Sequence, residues 1–169
     1  MGLAQGNADI YFPVTAGNKG AGSSLFCNHL ITSNVMYRVS KSVSFCYGHR
    51  LLNYQGKCQH LHGHNARAVI TLESNELDEL GMVMDFSEVK QLVWAWLDRE
   101  IDHTLLLHRD DPVLPLLQEA GERVRITEEN PTAEVIARMI FDYLEGQGYP
   151  VTDVTLWETE SSCAGYRPA

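Results

Sequence analysis

Two alternating stretches run into histidines on either side of one loop, and they constrain the fold more than anything else in the chain. In residues 37–47, Tyr37, Val39, Val43, Phe45 and Tyr47 alternate with polar or small residues, with Lys41 the exception on that face. In residues 62–73, His62, His64, Ala66, Ala68, Ile70 and Leu72 share the even face, while Asn65, Arg67, Thr71 and Glu73 share the other. Successive side chains of a strand point to opposite faces, so a period of two reads as a half-buried strand. The loop between them runs from about Arg50 to Leu61 and contains glycine. Two strands adjacent in sequence favour antiparallel pairing.

Downstream the period changes to that of a helix. Val89, Leu92, Val93, Trp96 and Leu97 have helical spacing, with Ser87 as the expected cap and an end near Ile101. Asp102-His103 falls in a loop, a short helical piece starts near Pro112, and Glu122–Ile126 reads as a short strand. Asn130-Pro131 predicts the start of a second long helix, with Asn as cap and Pro at the first position. Its stripe is Val135, Ile136, Met139, Ile140, Tyr143 and Leu144, and Gly146 and Gly148 end it. A last strand spans about Val151 to Thr159. The order predicts an α+β domain over residues 36–169: an antiparallel sheet with helices on one face. Residues 1–35 are rich in Gly, Ser and Asn without periodicity. They read as a flexible N-terminal extension or an upstream start, with Met36 as a plausible natural start.

Composition narrows the class. A chain of 169 residues suffices for one core, and 44% apolar with 21% charged residues is ordinary for a globular protein. With 13 basic and 22 acidic residues the net charge is −9, which argues against nucleic acid as partner. No apolar run is long enough to span a membrane and no secretory signal is evident, so the expected location is the cytoplasm. Cys27, Cys46, Cys58 and Cys163 form no CxxC pair and read as reduced thiols.

Strand parity gives the histidines their meaning. His62 and His64 share a face, Gly63 leaves the opposite face open, and His49 continues the apolar face of the first strand. If the strands pair, the three imidazoles converge. Three neutral imidazoles suit zinc and leave a fourth position for water or substrate, although separate core or surface histidines would give the same letters. Cys58, four residues before His62, is either an inert small residue or a thiol of lowered pKa beside a metal. In Asp102-His103 a carboxylate stands next to an imidazole it could orient. Glu158 shares a strand face with Val154 and Leu156, so it needs either an internal ion pair or a ligand that offers donors. His60 and His108 read as exposed polar residues.

Together these pieces resemble the 6-pyruvoyl-tetrahydropterin synthase family. The matching stretches are Phe45-Cys46-Tyr47-Gly48-His49-Arg50, Cys58-Gln59-His60-Leu61-His62-Gly63-His64-Asn65, Met84-Asp85-Phe86, Asp102-His103, Asn130-Pro131-Thr132-Ala133-Glu134 and Trp157-Glu158-Thr159. The resemblance implies a tunnelling fold with two helices on one face of the sheet. It also implies a homo-oligomer, often a hexamer of two trimers, with active sites between subunits. It assigns zinc to His49, His62 and His64, the catalytic thiol to Cys58, the Asp–His pair to Asp102 and His103, and the pterin anchor to Glu158. Thr132 matches a threonine near the pterin, and Arg50 and Lys57 are candidates for the triphosphate.

The three residues between Cys58 and His62 resemble the bacterial branch, which makes 6-carboxytetrahydropterin for queuosine and deazapurines, more than the animal branch, which makes 6-pyruvoyl-tetrahydropterin. Cys46-Tyr47-Gly48 departs from the small, Ala-rich stretch usual before the first histidine, and His60 stands where a basic residue is often found. The expected activity is conversion of 7,8-dihydroneopterin triphosphate to 6-carboxy-5,6,7,8-tetrahydropterin. The 6-pyruvoyl product, a zinc hydrolase and a non-catalytic oligomer with structural zinc are the alternatives.

Overall fold

The computed structural model describes residues 36–169, and the expectation of an N-terminal extension over 1–35 lies outside the described residues. The two alternating stretches are β1 (Tyr37–His49) and β2 (His62–Ser74), paired antiparallel with Val43 opposite Ala68 and His49 opposite His62. Directly opposed residues share a face, so the odd residues of β1 and the even residues of β2 form one surface. Val43, Phe45, Tyr47, Ala66, Ala68, Ile70 and Leu72 are all buried on it. Lys41, the break in the pattern, is only partly buried and carries its ammonium 5.7 Å from the centre of the Phe86 ring.

Two long helices close over that surface. In α1 (Phe86–Glu100) the buried residues are Val89, Val93, Trp96 and Leu97. In α3 (Ala133–Gly146) they are Ile136, Ala137, Ile140, Phe141 and Leu144. Both sets belong to the same core cluster as β1 and β2. Each helix begins differently from the sequence expectation. Asp85 caps α1 by accepting from the Ser87 amide at 2.6 Å, so Ser87 lies inside the helix. Thr132 caps α3, because Asn130 is used elsewhere: its side chain both accepts from Leu52 N and donates to Leu52 O, at 2.7 and 3.0 Å.

The remaining strands are β3 (Thr104–His108), β4 (Val124–Thr127), β5 (Val151–Thr159) and β6 (Ser162–Tyr166), with a short helix α2 (Leu114–Glu119) between β3 and β4. The sheet order is β4-β3-β1-β2-β5-β6. The fold is α+β as expected, but the sheet is mixed: β3 runs parallel to β1 and β4 parallel to β3. Parallel neighbours need a crossover connection, and α2 with its flanking turns supplies one between β3 and β4.

Candidate active site

His49 ends β1 and His62 begins β2, so the sheet register itself sets two imidazoles side by side, with His64 one strand period further on. Their Nε2 atoms, for His49 and His62, are 3.1 Å apart. The rings of His49 and His64 are centred 5.2 Å apart, and those of His62 and His64 5.1 Å. One ligand atom from each of the three lies within 4.8 Å of the others.

The outer nitrogens explain why these rings face one another. His49 Nδ1 contacts the carbonyl of Pro131 at 2.7 Å, and His62 Nδ1 that of His60 at 2.8 Å. A carbonyl only accepts, so both Nδ1 atoms carry hydrogen and both Nε2 lone pairs point inward. Burial pushes the pKa of His49 down, which favours the neutral imidazole a metal requires. In a tetrahedral zinc site, imidazole nitrogens at the usual bond length stand about 3.3 Å apart, close to the 3.1 Å between the His49 and His62 nitrogens. The donor set therefore fits zinc.

A cavity of about 300 Å³ opens on this triad, lined by all three histidines with Cys58, Thr132, Glu158 and Cys163 among others. Cys58 sits half-buried in a single 3-10 turn, Lys57–Gln59, whose carbonyl at Cys58 accepts from Leu51 N at 2.9 Å. Thr132 stands at the N-terminus of α3, where the helix presents partial positive charge to the cavity. Glu158 reaches in from β5. Its Oε1 lies 3.9 Å from Nε2 of both His49 and His64 and accepts a hydrogen bond from Tyr47 Oη at 2.5 Å. Among the described residues no lysine or arginine pairs with Glu158. The carboxylate that strand parity left in need of a partner thus has a phenol and faces a cavity.

The Asp–His pair is elsewhere. Asp102 is buried, and its Oδ1 accepts from Cys46 N at 2.8 Å while its Oδ2 accepts from His103 Nδ1 at 2.7 Å. Burial opposes ionisation of Asp102, but the Cys46 amide and His103 outweigh it and hold the carboxyl below the usual carboxylate range. His103 has the left-handed φ of 52° that non-glycine residues rarely adopt, and its side chain is 76% exposed. The dyad is thus built to present an oriented imidazole outward. Neither residue lines the histidine cavity: both border a hollow with Cys46 and Asn65 on the other face of β1 and β2, and His103 also lines an adjoining one with Gly48, Gly63 and His64. Gly48 and Gly63 face each other across the ladder there, and a Cβ on Gly63 would come within 2.8 Å of the Tyr47 carbonyl oxygen.

The structure does not bring Arg50 or Lys57 to the cavity lining. Arg50 forms a two-bond ion pair with the buried Asp111, 2.6 Å from Nε to Oδ2. Lys57 is exposed on the turn beside Cys58. His60 is exposed as expected, whereas His108 is half-buried and accepts from Asp110 N at 3.1 Å. Sequence reasoning missed Tyr47 as a member of the site, although its parity put it on the face of His49 and His64 and its hydroxyl is out of place among apolar neighbours.

A mixed α+β domain with three convergent imidazoles, a cavity thiol and an inward carboxylate has the features of a metal-centred enzyme acting on a small polar molecule. The chain belongs to the 6-pyruvoyl tetrahydropterin synthase family, whose model matches residues 38–169. It is 40% identical over 131 residues to the 6-carboxy-5,6,7,8-tetrahydropterin synthase of Rickettsia bellii, covering 73% of this chain and 95% of that one. It is 32% identical over 159 residues to the protein of the same name from Aquifex aeolicus, covering 78% and 98%. Among solved structures, an uncharacterized protein from Wolinella succinogenes superposes with TM-score 0.66 at 26% identity, covering 80% of this chain and 99% of that one. The 6-pyruvoyl tetrahydropterin synthase of Caenorhabditis elegans has TM-score 0.59 at 24% identity, covering 80% and 97%, and so shares the fold.

Proposed function

We propose that this protein is a zinc-dependent 6-carboxy-5,6,7,8-tetrahydropterin synthase. It would convert 7,8-dihydroneopterin triphosphate and one water to 6-carboxytetrahydropterin, acetaldehyde and triphosphate, in the cytoplasm and on the route to queuosine and deazapurines. The observation that carries the reading is one cavity lined by His49, His62, His64, Cys58 and Glu158, in a chain whose relatives bear that name.

Zinc on the three imidazoles would supply Lewis-acid stabilisation of negative charge developing on the side-chain oxygens of the substrate. The chain's own residues do the rest. Glu158 accepts hydrogen bonds from the amino-pyrimidine edge and so fixes the reacting side chain beside the imidazoles. Thr132, at the start of α3, lies within reach of the same ring. Cys58, as thiolate, takes a proton from the side chain. Asp102 holds His103 by its Nδ1, leaving Nε2 to deliver or relay a proton.

Asp102 and His103 border another hollow than Cys58, which supports a site completed by the dyad of a neighbouring copy. The reading is therefore a homo-oligomer, hexameric or similar, with sites between subunits. For the triphosphate, Lys57, exposed on the turn beside Cys58, is the better candidate, because the guanidinium of Arg50 is already paired with Asp111.

The test is to incubate zinc-loaded protein with 7,8-dihydroneopterin triphosphate and identify all products by mass spectrometry. Acetaldehyde with 6-carboxytetrahydropterin is the expected result. A 6-pyruvoyl product without acetaldehyde would assign the other activity of the family, and no pterin turnover would remove both.

A further inference from the structure

The residue before Gly48-His49 is a tyrosine where the resemblance leads one to expect a small side chain, and its placement is specific. Tyr47 is 3% exposed. Its ring stands edge-on to that of His49 at 5.2 Å and tilted to that of His64 at 5.8 Å, which fixes the ring against two of the three imidazoles. The hydroxyl then reaches across to Glu158 Oε1 at 2.5 Å, joining β1 to a residue 111 positions away. The same oxygen is 3.9 Å from Nε2 of His49 and from Nε2 of His64. A carboxylate so near a metal-binding triad has two competing fates: it can turn to the metal and close its open position, or stay turned to the cavity and grip a ligand.

We infer that Tyr47 is a positioning residue that tethers Glu158 through its hydroxyl, keeping the carboxylate turned to the ligand and off the metal. Each carboxylate oxygen has two lone-pair directions, so Oε1 can accept from Tyr47 while Oε2 and the remaining pair stay available to the adjacent ring N–H and amino group of a pterin. A rigid phenol on a packed ring holds this geometry at low entropic cost, as positioning of a charged anchor demands. The inference rests on the proposed function, because it takes Glu158 as the ligand anchor.

The experiment measures neopterin binding by fluorescence quenching, zinc content, and the KM and kcat of the zinc-loaded enzyme for wild type, Tyr47→Phe, Glu158→Gln and the double variant. Phe keeps the ring packing and removes only the hydroxyl. Expected for Tyr47→Phe are a Kd and KM raised about tenfold, the scale of one hydrogen bond to a charged group. Kcat should change less than twofold, and zinc content should be unchanged. The double variant should bind neopterin no more weakly than Glu158→Gln alone, since the hydroxyl acts only through the carboxylate.

If Glu158→Gln weakens neopterin binding but Tyr47→Phe does not, the inference fails and the proposed function stands. If Tyr47→Phe instead loses zinc or folded protein, the tyrosine is a structural residue and the inference fails. If Glu158→Gln binds neopterin like wild type, Glu158 is not the anchor, and both the functional reading and the inference fall.

Discussion

His49 donates from Nδ1 to the carbonyl of Pro131 at 2.7 Å, joining the end of β1 to the segment that starts α3, 82 residues on. Asn130 braces that segment by its two hydrogen bonds to Leu52. Partners behind a ligating histidine fix its tautomer and direction, and removing them typically costs about 10–100-fold in metal affinity. Asn130→Ala should weaken zinc binding by about tenfold, the low end of that range, because Pro131 itself remains. Competition with a zinc chelator reads this directly.

In the proposed function Cys58 is the proton-transfer group and has no part in holding zinc or pterin. Cys58→Ala should keep one zinc per chain and near-native neopterin affinity while losing about 10²–10⁴ in kcat, the usual contribution of a positioned acid or base. Retention of full turnover would mean that a group other than Cys58 takes the proton.

Because Asp102–His103 and Cys58 border different hollows of one chain, inactive variants should complement one another if the dyad comes from a neighbouring copy. Cys58→Ala and His103→Ala subunits, each inactive alone, should regain part of the wild-type turnover when co-refolded. Recovery requires some sites to receive an intact thiol and an intact dyad from different copies. Activity assays across mixing ratios check it, and no recovery at any ratio would place the dyad in the same chain's site.

Asp111 is fully buried at its side chain and held by Arg50, whose guanidinium is about a fifth exposed. Asp111→Asn should destabilise the fold by about 3 kcal/mol, the lower edge for breaking a buried pair, since Arg50 keeps some water. Burial opposes ionisation of Asp111, but Arg50 and the Val113 amide outweigh it and lower its pKa. A lowered folded-state pKa stabilises fully above the ordinary carboxylate value of about 4 and loses that stabilisation as pH falls through the folded value. The gap in melting temperature between wild type and Asp111→Asn should therefore be constant from pH 7 to 5 and shrink below pH 4. Thermal scans across that range measure it.

The parts of the fold legible in the sequence were those with one face in the core. The parity of β1 and β2 and the stripes of α1 and α3 each encode a single buried face; that parity put the three histidines on inward faces, and the resemblance added the zinc assignment. Thr104–His108 carries no strand signal in the sequence, because β3 is covered by neighbours and buries Thr104, Leu106 and Leu107 without strict alternation. β6 has five residues, none buried, and so little pattern to find. The helix caps shifted because Asn130 could serve either the helix or Leu52, and only tertiary contact decides between them. Tyr47 was legible as core but not as part of the site, since its meaning depends on Glu158, 111 residues away. The separation of Asp102–His103 from Cys58 depends on three-dimensional placement that no local motif records.

X-ray absorption at the zinc edge of the purified protein reads whether a zinc ion sits on three imidazoles with a position left open for substrate. Expected are about three nitrogen neighbours at 2.0–2.1 Å with a further light atom and no sulfur. Neopterin should change the shell while the three nitrogens remain. A sulfur neighbour at about 2.3 Å would mean that Cys58 closes the site as a ligand. That result would contradict both the open position and the role of Cys58 as base.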